Sequence, residues 1–364
     1  MHIQNITLHR VELRFKTPYA TSFGVHVTRQ LILAEVQADG LTGWGEWAGD
    51  GPGYSYETVD AAWLILHSHL LPMLRGATLT HPNKVAARLA AVRGYPFAKA
   101  MLEAALWDIA AQQTGQSLSR FIGGTRANVM AGVSIGIQPD PAATVARVQS
   151  LLRYPGIGRV KLKIKPGHDV GHEVAHVAAV RHALRREWPD LPLMVDANAA
   201  YALTDLDTLR RLDAHNLLMI EQPLAADDWL DHAELQRHLR SPICLDESIT
   251  SLAQAKAALA LGACRVVNIK PGRVGGLSAA IAIHDFCHAA GIPVWCGGMF
   301  ETGIGRALNL ALASLPGFTL PGDFAPAQRL FGRDLIDPPL EANADGTLPV
   351  PSGIGLGVRV RLGD

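Results

Sequence analysis

The chain opens on alternation. In "ITLHRVELRF", and again in "RQLILAEVQADGLTGWGEW", apolar residues recur at about every second position, the period of a strand with one buried face. Asp39-Gly40 interrupts the second stretch as a tight turn would, so the first 60 or so residues predict strands joined by turns. Residues 57–122 change to helical spacing. The clearest case is "PFAKAMLEAALWDIAAQQTG", which is closed by a glycine.

From about residue 130 short apolar runs alternate with helix-sized gaps. The runs are "MAGVSIGI", "RVKLKI", "LPLMVDAN", "LLMIEQP", "PICLDES", "CRVVNIK", "IPVWCGG" and "FTLPGD". Alternating strands and helices imply a parallel sheet, and eight repeats imply a closed barrel. A doubly wound open sheet is the competing arrangement, but it usually carries a glycine-rich phosphate turn after its first strand. None follows "VSIGI".

Several runs carry an ionisable residue at or near the end: Lys163, Asp196, Glu221, Asp246 and Lys270, separated by 33, 25, 25 and 24 residues. One strand plus one helix spans about that length, so the period predicts a ring of such residues at one height. In these barrels the C-terminal rim of the strands carries the chemistry.

Composition changes this picture little. With 364 residues, 48% hydrophobic and 18% charged, the chain suits a large barrel with an accessory domain. A formal net charge of zero argues against a nucleic-acid or membrane surface. No apolar run approaches the roughly 18 residues that span a bilayer, and the first residues lack a signal peptide's apolar centre. The four cysteines form no C-x-x-C pair, which predicts reduced core thiols in a cytoplasmic protein.

Three carboxylates at one level repel unless a cation sits among them, and oxygen ligands with open positions suit Mg²⁺. The bland alternative is that Asp196 and Asp246 merely cap the following helices. In "RVKLKIKPG", Lys161, Lys163 and Lys165 alternate, so their ammonium groups are expected on one face. Strands two and six oppose each other in a ring of eight, which sets Lys163 against Lys270. A lysine acts as a base only when neutral; burial and the nearby charge of Lys161 are expected to lower its pKa. Two bases flanking a metal suit removal of a proton next to a carboxylate, with racemisation or β-elimination as the outcome.

The stretches "KLKIKPG", "VDANAAY", "IEQPL", "LDES" and "NIKPGRVGG", in this order, resemble the enolase superfamily. "GGMFETGIGRA" and "LPGD" narrow the resemblance to the o-succinylbenzoate synthase and N-succinylamino acid racemase group. It implies an α/β fold: a modified TIM barrel, (β/α)7β, at residues 126–325, with an α+β capping domain at 1–125 completed by 326–364. It implies Asp196, Glu221 and Asp246 as ligands of Mg²⁺, with Mn²⁺ able to substitute, and Lys163, Lys270 and Lys161 as the catalytic lysines. Asn198, Glu247 and Arg273 stand beside them. Ser134, Phe23, Tyr54, Gly297, Gly298, Met299, Glu301 and Asp323 are expected around the substrate, with a mobile loop from Thr21 to Gly24 closing over it. Phe300 stands where leucine is expected.

The implied activity is dehydration to o-succinylbenzoate in menaquinone biosynthesis, racemisation of N-acylamino acids, or both. A dipeptide epimerase or a muconate-cycloisomerase-like enzyme is the alternative. The expected partner is a small-molecule carboxylate, with no nucleic acid and no membrane, and a homo-oligomeric state. "HEVAH", residues 172–176, fits H-E-x-x-H, but it opens an ordinary crossover helix and is set aside as a zinc site.

Overall fold

The computed structural model describes residues 1–49, 51, 53–154, 156–167, 171–325 and 327–362. Pro326, at the expected domain boundary, and residues 363–364 lie outside them, as do residues 168–170 of the stretch before "HEVAH".

Three long strands form the first sheet: β1 (Ile3–Thr21), β2 (Gly24–Ala38) and β3 (Leu41–Trp47), all antiparallel. Asp39 and Gly40 make the β2–β3 turn, both with positive φ, as a two-residue hairpin turn of the primed type requires. The segment expected as a loop around Thr21 is the tip of the β1–β2 hairpin. Thr21 pairs with Gly24, which leaves a turn of only Ser22 and Phe23. Helix Pro96–Gln113 packs across the sheet and is buried from Phe97 to Ala111 except at Lys99. It has no wet face because the sheet covers one side and the barrel the other. The approach to β3 is close: a Cβ at Gly43 or Gly45 would overlap the carbonyl of Ala105 or Met101.

Seven parallel strands follow: β4 (Asn128–Ile135), β5 (Ile157–Lys163), β6 (Leu193–Asp196), β7 (Ile220–Glu221), β8 (Ile243–Leu245), β9 (Val266–Ile269) and β10 (Val294–Cys296). Each neighbouring pair is parallel, with helices between them. The eighth position is filled by residues 318–322. Phe318 bridges Val294 of β10, and Gly322 bridges Ala131 of β4, both in parallel. Gly132 N donates to Gly322 O at 2.8 Å, and Asp323 N to Cys296 O at 3.1 Å. "FTLPGD" therefore closes the ring, as the repeat count predicts, although its proline limits it to bridges rather than a full ladder.

One core cluster lies in the sheet unit and a larger one in and around the barrel. The C-terminal tail touches both. Ala327 and Phe331 pack into the first, whereas Leu335, Leu340, Leu348 and Leu356 pack into the second. No helix among the described residues is long and apolar enough to cross a membrane.

Candidate active site

Strand register sets the floor of the site. Lys163 of β5 pairs with Asp196 of β6, which pairs with Glu221 of β7. Glu221 pairs in turn with Cys244, not with Asp246, so Asp246 stands two residues further along the chain, just past the end of β8. A tilted barrel staggers its strands, so equal spacing in sequence does not mean equal height. Asp196, Glu221 and Asp246 are all buried to within 1% of complete.

Two of the three alternating lysines reach this floor. Lys161 Nζ lies 3.1 Å from Glu221, 3.2 Å from Asp196 and 2.7 Å from Asp323. Lys163 Nζ lies 2.6 Å from Asp196 and donates to Asn198 Oδ1 at 2.6 Å. Lys165 is exposed, because β5 ends at Lys163 and its alternation ends with it. Lys270 Nζ lies 2.7 Å from Asp246 Oδ2 and donates to Tyr54 Oη at 2.9 Å.

The expected lowering of the lysine pKa is not what these contacts produce. Burial is the largest single effect on Lys163 and pulls it down, but Asp196 and its neighbours together hold it above its ordinary value. The same balance, with Asp246 as the chief partner, raises Lys270. The acids respond in opposite ways. Lys163 and Lys161 outweigh burial at Asp196 and hold it below the usual carboxylate range. Glu221, crowded by burial and by Asp196, is pushed up to about 8.

Neighbouring residues lock the acids in place. Asn198, with φ of 44°, donates Nδ2 to Glu247 Oε1 at 2.9 Å. Burial pushes Glu247 up to about 7. Arg273 donates to Asp246 Oδ1 and to the carbonyls of Ile249 and Asn268. Gln222 Oε1 accepts from the backbone of Asp246 at 2.9 Å and of Ser248 at 3.2 Å.

Above the floor lies a cavity of about 100 Å³. Lys161, Lys163 and Lys270 line it, as do Asn198, Ser134, Phe23, Tyr54, Gly298, Met299, Glu301 and Asp323. Gly297 does not line it. A Cβ there would overlap Lys270 Cε and the Asn268 amide, so the glycine makes room for the lysine rather than meeting a ligand. Asp323 lines the cavity, but its carboxylate is tied to Lys161 and, at 2.6 Å, to Arg159.

Arg159 and Tyr19 are among the residues sequence reasoning missed. Arg159 is fully buried, with its guanidinium 4.8 Å from the Trp295 ring. A signal existed, since Arg159 precedes Lys161 and Lys163 in the same alternating series. Tyr19 Oη lies 2.6 Å from Ser134 Oγ and sits on a strand 115 residues away, which no local pattern announces. Phe300, in the left-handed region at φ 58°, packs against Tyr19 and Phe15.

As placed, Asp196 and Glu221 converge on the Lys161 ammonium, while Asp246 turns to Lys270 and Arg273. Among the described residues no three acidic, histidine or cysteine side chains converge as a ready-made metal cage. The donor chemistry nevertheless fits a hard divalent cation. The acids are buried oxygen donors on neighbouring strands, two of them already share one cationic group, and Glu247 Oε2 is buried without a hydrogen-bond partner. His172 and His176 lie outside this cavity, and His176 Nδ1 is 2.7 Å from Thr144 Oγ1.

Residues 3–123 match the mandelate racemase / muconate lactonizing enzyme N-terminal domain, and residues 143–363 match the enolase C-terminal domain-like family. The chain belongs to the enolase superfamily, whose members are typically dependent on a divalent metal. It is 46% identical to an o-succinylbenzoate synthase of Geobacillus stearothermophilus, over 99% of this chain and 94% of the relative. It is also 46% identical to an N-succinylamino acid racemase of Thermus thermophilus, over 100% of this chain and 96% of the relative. A solved enolase superfamily member from Listeria innocua superposes with a TM-score of 0.91 at 38% identity, covering 100% of this chain and 95% of that one.

Proposed function

We propose that this enzyme removes a proton next to a carboxylate with the help of a divalent cation, Mg²⁺ by preference with Mn²⁺ as a substitute. Its activity in this reading is that of an o-succinylbenzoate synthase, an N-succinylamino acid racemase, or both. The observation that carries the proposal is that Lys163 and Lys270 line one cavity while each contacts a different acid of the Asp196, Glu221 and Asp246 set.

When bound at those acids, the cation supplies positive charge beside the substrate carboxylate and makes the neighbouring C–H more acidic. Were Asp196 and Asp246 engaged there, their hold on the lysines would weaken, and burial would favour the neutral amine in whichever lysine acts as the base. In racemisation each lysine exchanges a proton with its own face of the α-carbon. In dehydration Lys163 takes the proton and returns it to the departing hydroxyl, while Lys270 stays cationic beside the developing charge. Lys161 keeps Asp323, which is outside the metal set, as its partner at 2.7 Å, and so stays protonated and keeps that region positive.

The same proposal takes residues 1–125 with 326–364 as the capping domain and 126–325 as the barrel. Tyr19, Thr21, Phe23, Tyr54 and Leu330 are the cap's contributions to the pocket. It describes a homo-oligomer, and a cytoplasmic one in keeping with four buried, free cysteines.

The test is α-proton exchange in D₂O, followed by NMR, on N-succinylamino acids and in parallel on the dehydration substrate, with chelator-treated protein before and after Mg²⁺ is returned. Turnover that appears only with the cation supports the reading. Undiminished turnover without it, or none with it, overturns it.

A further inference from the structure

The lysine cavity is too small for a whole substrate of the proposed class. Its volume is about 100 Å³, against roughly 300–1,000 Å³ for ordinary small-molecule sites. A second cavity of about 230 Å³ adjoins it and shares Tyr19, Gly132, Ser134, Ala325 and Leu330 as walls. The hydrogen-bonded pair of Tyr19 and Ser134 stands between the two. A molecule with its α-carbon between the lysines therefore has an adjoining space, past the five shared walls, for a longer substituent.

That space has a distinct charge pattern. Its lining is mostly glycine and apolar side chains, and its charged members are Arg147 and Arg329, both cationic. Neither is paired with a carboxylate among the described residues. Arg329 is half-buried, with its guanidinium 4.2 Å from the Tyr154 ring. The ring orients the planar cation but leaves its donors without an anion. Burial pulls Arg329 below its ordinary value, as expected of a cation that has given up water without gaining an acid.

We propose that this second cavity holds the substrate's acyl tail and that Arg329, with Arg147 at the rim, binds a carboxylate at the end of that tail. The inference rests on the proton-abstraction reading above and deepens it. Both proposed substrate types carry a succinyl chain, with a carboxylate well removed from the one beside the reacting carbon. A guanidinium in a lining otherwise mostly apolar selects such a tail over a neutral one of equal length.

The experiment compares N-succinylphenylalanine with N-pentanoylphenylalanine, which matches its length without the charge. Exchange of the α-proton is measured for the Mg²⁺-loaded wild type, Arg329→Gln, Arg329→Lys and Arg147→Gln. Arg329→Gln should lower kcat/KM for the succinyl substrate about tenfold or more, mainly through KM, as loss of a charge-assisted hydrogen bond implies. The pentanoyl substrate should change less than about twofold, which also shows that the variant is folded. Arg329→Lys should recover part of the loss, and Arg147→Gln should give a smaller loss of the same kind. Equal effects on both substrates, or none on either, overturn the tail site and leave the proton chemistry standing. Absence of exchange with every substrate in the wild type overturns both.

Discussion

At the scale of single residues, the opposed lysines were legible because a repeat of about 25 residues marks the ends of successive barrel strands. Their partners were not, since an ion pair such as that of Lys161 with Asp323 joins residues 162 positions apart and depends on how the ring closes. Each lysine has its own acid, so the two are separable by mutation. Lys163→Ala should abolish α-proton exchange for one enantiomer of an N-succinylamino acid and Lys270→Ala for the other. Each loss should be at least about 10²-fold, as for removal of a general base. NMR of each enantiomer in D₂O checks this, and loss of exchange for the same enantiomer in both variants contradicts it. Gly297 offers a subtler check, because its missing side chain makes room for Lys270. Gly297→Ala should impair the exchange that depends on Lys270 several-fold more than the exchange that depends on Lys163. It should also lower stability by about 1–3 kcal/mol, the usual cost of overpacking.

At the scale of elements, strands with a clean period of two or a short apolar run were read correctly, and what escaped was how they end. The family resemblance implies a loop at Ser22 and Phe23, and the two strands pair right up to it, Thr21 with Gly24. The eighth barrel segment was legible as "FTLPGD", but not the arginine that holds it. Arg126 Nη1 donates to the carbonyls of Leu315 at 2.9 Å and Phe318 at 2.5 Å, and Nη2 donates to Pro316 at 2.8 Å. This guanidinium satisfies backbone acceptors between helix Gly303–Ala313 and the closing segment, where no further helical turn can do so. Arg126→Ala should therefore lower stability by about 2 kcal/mol, the range for hydrogen bonds from a charged donor. Urea denaturation measures that cost. Hydrogen exchange should show the loss concentrated in residues 313–322, and an unchanged midpoint would show that water replaces the arginine without cost.

At the scale of the whole molecule, the sheet and the barrel were both foreseen, whereas the joint between them has no sequence signature, since its halves come from residues 46 and 302–305. Glu46 of β3 accepts from Thr302 N at 2.9 Å, Thr302 Oγ1 at 2.6 Å and Gly305 N at 2.8 Å, so a side chain of the sheet caps a barrel helix. These donors favour the carboxylate, and Arg306 lies near enough to be influenced by it. Burial opposes them, aided by the neighbouring Glu301, and prevails, so Glu46 is pushed from an ordinary 4.5 up to about 7. The unfolded chain gives up this proton near pH 4.5, while the folded protein keeps it until about pH 7. The stabilising contribution is thus full below pH 4.5, declines as pH rises through that interval and stays lost above it. Glu46→Gln has no proton to lose there. Its stability, measured by urea denaturation at several pH values, should gain on the wild type by about 2 kcal/mol between pH 5 and pH 8, a figure discounted for the residue's partial exposure. Comparing the two proteins cancels every other titrating group, including the acids and lysines of the active site. A difference that stays constant over this range would mean that the three donors, not burial, set the charge at the joint.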